Sequence, residues 1–254
     1  MPARNIRLTA EYDGTEYHGW QSQTNAVTVQ NVIANAVKRL TTEDVVLTGA
    51  GRTDAGVHAL AQTISFITSS GIPPESFAAA LNSCLPDDII IKSSVEAEAS
   101  FNARFSARGK SYRYIMYNSL QPSAILRNRA WHVKYPLNLD LMKKAALNFA
   151  GTHDFTSFMA SGSKIKDAVR TLYESELSIV ESCLNGLPLI IYDVAGNGFL
   201  YNMVRIITGT LVEVGMGKLL PEDIPVILDA RNRKRAGKTA PPKGLYLCEV
   251  FYDV

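Results

Sequence analysis

The segment GAGRTDAGVHALAQTISFI (49–67) sets an Arg-Thr-Asp trio among three glycines, between two strand-like runs. Glycine permits positive φ and close backbone approach, so Asp54 is expected on a tight loop beside a sheet. An ionised aspartate there can act as nucleophile or base. Arg52 offers a planar, permanently charged group able to bond phosphate or stack on a base. The competing reading of Asp54 is an Asx-turn, and His58, four residues on, reads as a satisfied structural histidine rather than an acid or base.

Two further segments carry candidate chemistry. In GNGFLYNMVRIITGTLVEVG (196–215), Arg205 stands in a helix whose Phe199, Leu200, Met203, Val204, Ile207 and Leu211 form an apolar face. An unpaired buried guanidinium costs several kcal/mol, so Arg205 must reach solvent or hold a carboxylate. Asp54 is one candidate partner, and a pair with it would keep that carboxylate ionised; Asp193, Glu213 or a snorkelling side chain are the alternatives. In FSARGKSYRYIMY (105–117), cations interleave with Tyr112, Tyr114 and Tyr117, a pattern suited to unstacked bases beside a phosphate backbone. Tyrosine is also an ordinary strand residue. The loop YDGTEYHGWQ (12–21), with Tyr17, Trp20 and Gln21, reads either as a packed turn or as a nucleic-acid contact.

Charge supports a polyanionic partner. Thirteen of the 26 Lys/Arg fall in two acid-free tracts: seven in 102–134, Lys110 among them, and six in 231–243. The other thirteen face all 24 Asp/Glu, so a basic surface is expected on an otherwise acidic body. The alternative is that each tract only solubilises an exposed loop. The longest apolar runs, such as 187–192, are strand-sized and far short of a membrane span. No secretory signal opens the chain, so the expected compartment is the cytoplasm. Cys84, Cys183 and Cys248 are expected as buried thiols in a reducing compartment. The four histidines lack metal-ligand spacing, so no metal is expected.

The elements that must position these residues alternate along the chain. Strands are predicted at 6–14, 43–49, 60–67 and 88–96, with helices at 28–40, capped by Thr28, and at 74–84. In the second half, strands are predicted near 109–117, 129–135, 171–181, 188–194 and 245–252, with helices at 138–149, 197–214 and 221–230. Strands this closely spaced leave no room for regular βαβ crossovers. The expected class is therefore α+β, as two domains, 1–104 and 105–254, with mixed, mainly antiparallel sheets.

Together these segments resemble the TruA family of tRNA pseudouridine synthases. The resemblance rests on GRTDAGVHA (51–59), YDGTEYHGWQ (12–21), FSARGKSYRY (105–114), GTHDFTSF (151–158), GNGFLYNMVR (196–205) and APPKGLYL (240–247), which span nearly the whole chain. It implies two ferredoxin-like (RRM-like) domains with a cleft between them, a homodimer, no cofactor, and uridines 38, 39 and 40 of the tRNA anticodon stem-loop as substrate. It further implies Asp54 as catalytic aspartate, Arg52 as the aid to base flipping, Tyr112 stacked on the target uracil, Arg205 paired with Asp54, and Leu245 lining the pocket. Arg52, Tyr112, Leu245, Lys110 and Gln21 are the expected substrate-binding residues. A non-catalytic RNA-binding module would share the charge pattern, but gains nothing from a carboxylate on its binding loop. A small-molecule hydrolase would need motifs that are missing, such as GxSxG, HExxH or a P-loop.

Overall fold

The computed structural model describes residues 2–162, 165, 167–182 and 186–252. Two compact units emerge: Met1–Arg108 together with Tyr246–Val254, and Gly109–Leu245.

In the first unit, β1 (Arg4–Tyr12), α1 (Val29–Thr41), β2 (Thr48–Gly49), β3 (His58–Thr68), α2 (Phe77–Asn82) and β4 (Ile89–Ala97) follow in order. β1 runs antiparallel to both β3 and β4, and β2 is a short antiparallel addition to β3. Ile6, Leu8, Ala10 and Tyr12 alternate into the core from β1, as period two requires of a strand. α1 begins where predicted: the Thr28 hydroxyl accepts from the Asn31 N–H, and Val29, Ile33, Ala36 and Val37 are buried along one stripe.

The second unit contains most of β5 (Ala107–Asn118), then β6 (Trp131–Val133), α3 (Leu139–Leu147), β7 (Gly151–Asp154), β8 (Val169–Glu181), β9 (Pro188–Gly196), α4 (Met203–Gly215) and α5 (Asp223–Asp229). Its sheet runs β5-β9-β8-β7, all antiparallel, with β6 parallel to β5. Helix α3 packs on α4 and on β8. Both units are thus mixed, mainly antiparallel α+β structures.

The last strand, β10 (Leu245–Tyr252), lies parallel to β3 with Tyr246 opposite His58. Sequence order places it in the second half, whereas its residues from Tyr246 onward belong to the first compact unit. Non-consecutive pairing of this kind leaves no local trace in the residues.

Other differences are local. The strand predicted at 43–49 shrinks to Thr48–Gly49 because Asp44 pairs with Lys38 and Glu43 with Thr68 and Ser69, while Val46 stands exposed. The helix predicted at 74–84 opens as a 3-10 turn over Pro74–Ser76 and ends at Asn82, whose amide bonds both backbone groups of Ile91. The helix predicted from 197 starts at Met203, since Asn202 is left-handed at φ 61° and breaks helical propagation before it.

Candidate active site

The loop 51–57 is held from both sides. On the sheet side, Ala50 N–H donates to the Thr63 carbonyl, and the fully buried Gln62 donates to the Gly51 carbonyl at 2.8 Å. On the other side lies the 12–21 segment. Trp20 N–H donates to the Thr53 carbonyl at 3.0 Å, Gly56 N–H donates to the Tyr17 carbonyl at 3.2 Å, and Val57 N–H closes the turn on the Asp54 carbonyl at 3.1 Å. Gly19 is at φ +87°, and a Cβ there would stand 2.5 Å from the Thr53 carbonyl oxygen. One on Gly14 would overlap the Val57 carbonyl, and one on Gly49 would meet the Trp20 ring at 2.5 Å. Glycine occupies these positions because another backbone or ring passes directly against them.

At the centre of the loop, Thr53 is buried and its hydroxyl lies 2.7 Å from that of the buried Tyr12. Burial pushes the Tyr12 phenol up to about 12 despite hydrogen bonds from Thr53 and Gln62 that oppose it. The anchored Thr53 thus separates an exposed Arg52 from a half-buried Asp54. The 12–21 segment resolves as a packed turn, with Tyr17 and Trp20 buried. Gln21 stands exposed, its amide donating to Gln30 Oε1 at 3.0 Å. Tyr12, Thr53, Gln62 and Gly19 are the supports that sequence reasoning passed over; the one available signal was the crowding of glycines around two separate loops.

His58 is buried, with Nδ1 lying 3.0 Å from Asp13 Oδ1 and 3.1 Å from the Gly14 nitrogen. Its ring stacks on Tyr246 at 4.7 Å, tying β10 to the end of the loop. That is the structural histidine the sequence pointed to.

In the second unit, Tyr112 sits in β5 opposite Val194 of β9, is 8% exposed, and meets Phe199 edge-on at 4.9 Å. Lys110 is half-buried two residues earlier, opposite Gly196. The exposed Arg113 forks onto Asp193 with bonds of 2.7 and 3.0 Å. Asp193 therefore serves Arg113, and Glu213 accepts from the Lys238 N–H. Arg205 is half-buried in α4, donating from Nε to the Ala240 carbonyl and from Nη1 to Asn202 Oδ1, both at 2.8 Å. Ala240 N–H returns a bond to the Arg205 carbonyl, and the Tyr114 hydroxyl donates to the Pro241 carbonyl at 2.6 Å. Burial raises the Tyr114 phenol well above its ordinary value, with the Arg205 charge opposing. These bonds fix the segment leading to the buried Leu245. Gly244 ends that segment against β5, where a Cβ would stand 2.5 Å from the Ile115 carbonyl oxygen.

The 231–243 tract runs along α4. A Cβ on Gly209 would overlap the Lys238 carbonyl, and Thr210 Oγ1 accepts from Gly237 N–H at 2.9 Å. Its cations divide by role. Arg231 pairs with Asp154 at 3.0 Å, and Arg233 bonds Ala236 and Thr239 within the tract. Lys234, Arg235 and Lys238 stand exposed.

Among the described residues, no three His, Cys, Asp or Glu side chains gather as a metal site, and no helix is long and apolar enough to cross a membrane. Cys84 and Cys248 are half-buried rather than buried. Cys84 lies just past the end of α2, and Cys248 lies in β10 between the buried Leu247 and the exposed Glu249. Cys183 lies outside the described residues.

The family model described as tRNA pseudouridine synthase matches residues 8–106 and 145–253. Three curated relatives, each called tRNA pseudouridine synthase A, are similar over 98% of this chain and the whole of their own length. The one from Acetivibrio thermocellus is 55% identical, that from Ruminiclostridium cellulolyticum 53%, and that from Caldicellulosiruptor bescii 51%. With the clamped Arg-Thr-Asp loop inside the first matched segment and the Arg205 and Leu245 segments inside the second, the chain belongs to the tRNA pseudouridine synthase family.

Proposed function

We propose that this chain converts uridines 38, 39 and 40 of the tRNA anticodon stem-loop to pseudouridine, as a cytoplasmic homodimer and without a cofactor. The observation that carries the assignment of the site is the loop 51–57, where the buried Tyr12–Thr53 bond fixes the backbone on which Asp54 stands. The reaction is an isomerisation. The N1–C1′ bond breaks, the uracil turns in place, C5 bonds to C1′, the C5 hydrogen leaves as a proton and N1 gains one.

Asp54 begins this by attacking C1′ or by removing a sugar proton. Arg205 is its ion-pair partner in the proposal, and a double-mutant cycle reads that coupling directly. Arg52, exposed beside the aspartate, fills the gap left by the base as it leaves the stack, a step costing a few kcal/mol. Tyr112 stacks on the extruded uracil, Leu245 supplies an apolar wall, and Lys110 and Gln21 contact the RNA. The exposed Lys234, Arg235 and Lys238 give affinity that is independent of base sequence and weakens with salt.

The test is to incubate unmodified tRNA transcripts with the protein and map pseudouridines by carbodiimide adducts and primer extension. New stops at 38–40 support the proposal. Stops confined to other positions overturn the assignment of substrate. Tight binding without any conversion favours the non-catalytic RNA-binding reading.

A further inference from the structure

Nine phenylalanines occur in the chain, and among the described residues Phe105 alone is exposed, at 78%; the other eight are buried or half-buried. Its setting is ordered. Asn102 Oδ1 accepts from the N–H groups of both Arg104 and Phe105, at 3.0 and 3.1 Å. Ser106 N–H donates to the Asn102 carbonyl, and the Ser106 hydroxyl accepts from Asn102 N–H. The base of this turn is bolted down, since the fully buried Ala103 donates its N–H to Ser65 Oγ of β3 and accepts at its carbonyl from the Tyr252 hydroxyl of β10. A self-bonded turn thus holds Phe105 in solvent, with the exposed Arg104 guanidinium 5.4 Å over its ring. Arg108, also exposed, follows three residues later within an acid-free stretch.

A lone exposed aliphatic needs no explanation, but a rigidly presented aromatic flanked by cations has the composition of a platform for an unstacked nucleotide. We propose that Phe105, with Arg104 beside it, is a stacking site for a single-stranded nucleotide of the tRNA, separate from the position of the target uracil. The charge around the ring favours RNA over an apolar protein surface. This inference rests on the function proposed above.

The test measures binding and turnover of an unmodified tRNA transcript by wild type, Phe105→Ala, Phe105→Trp and Arg104→Gln. Phe105→Ala should weaken binding about tenfold, in the range for loss of one base–aromatic stack. Its salt dependence and melting temperature should stay at wild-type values, and Phe105→Trp should retain affinity. Arg104→Gln should flatten the salt slope. Unchanged affinity in Phe105→Ala, while wild type converts the transcript, overturns the stacking site alone. A shift of oligomeric state in Phe105→Ala would show that the ring meets a second copy of the chain, and this too overturns it. Wild type that neither binds nor converts the transcript overturns the functional reading beneath it.

Discussion

The loop 51–57 and the tract 231–243 hold the residues proposed for catalysis and for RNA binding by opposite means. In the loop, one buried hydroxyl pair, two backbone bonds to the neighbouring turn, one backbone bond within the loop and the close approach of that turn's Gly19 fix a single half-buried carboxylate. In the tract, the backbone is anchored at Gly209 and Thr210, while Lys234, Arg235 and Lys238 extend into solvent. Bond-breaking chemistry needs its group held within a fraction of an ångström, whereas attraction to a phosphate backbone falls off slowly with distance and tolerates mobile side chains. Changes in the loop should therefore act on kcat, and changes in the tract on affinity and its salt dependence.

The sharpest way to break this contrast is Gly19→Ala. The new Cβ would press on the Thr53 carbonyl in a backbone region that alanine rarely adopts. Displacing the loop by an ångström should lower kcat about 100-fold, with tRNA affinity within a few fold of wild type, as single-turnover kinetics and filter binding would show. A loss of affinity equal to the loss of kcat would mean that the loop is a binding element.

Tyr12→Phe removes one hydroxyl and leaves the Thr53 hydroxyl buried with one fewer partner, a loss of about 1–3 kcal/mol. It should lower kcat about tenfold by the misplacement argument and leave KM nearly unchanged, and Thr53→Ser should retain the activity that Thr53→Val loses. The same phenol gives a pH signature. Its value is raised to about 12 in the folded chain, against about 10 unfolded, so its stabilisation is complete below pH 10 and is lost as pH rises towards 12. Alkaline melting of Tyr12→Phe should lack this share of the decline; an identical decline in both proteins would contradict the burial of Tyr12.

A smaller effect is expected in the tract. Neutralising Lys234, Arg235 and Lys238 together should reduce the slope of log affinity against log salt by about two, since each cation that neutralises a phosphate adds roughly 0.7 to 0.9 to that slope. Turnover at saturating tRNA should not change. An unaltered slope would make this tract an ordinary solvated loop.

The same contrast explains what could be read in the sequence. Helix α1, with its Thr28 cap and buried stripe, is specified within thirteen residues and was legible. So was the Arg-Thr-Asp loop, because a glycine-flanked trio between strand-like runs is unusual. The bonds that make the loop rigid join residues 12 and 20 to residue 53 and residue 17 to residue 56, and local periodicity carries no record of contacts across such separations. Asn202 hid the start of α4 in the same way: a left-handed residue inside an apolar helical pattern reads as one more turn of helix. The charge tracts were visible only in bulk. That Arg113 and Arg231 bond within the protein, while Lys234, Arg235 and Lys238 extend from it, depends on partners distant in sequence, Asp193 and Asp154.

The central claim is that Asp54 performs the isomerisation. It is tested most directly by tritium release from tRNA transcripts carrying 5-tritiated uridine, with wild type and Asp54→Asn compared at equal tRNA occupancy, because C5 loses its hydrogen when it bonds to C1′. The account predicts release by wild type and none above background by Asp54→Asn, whose tRNA affinity stays within a few fold. Substantial release by Asp54→Asn would contradict it.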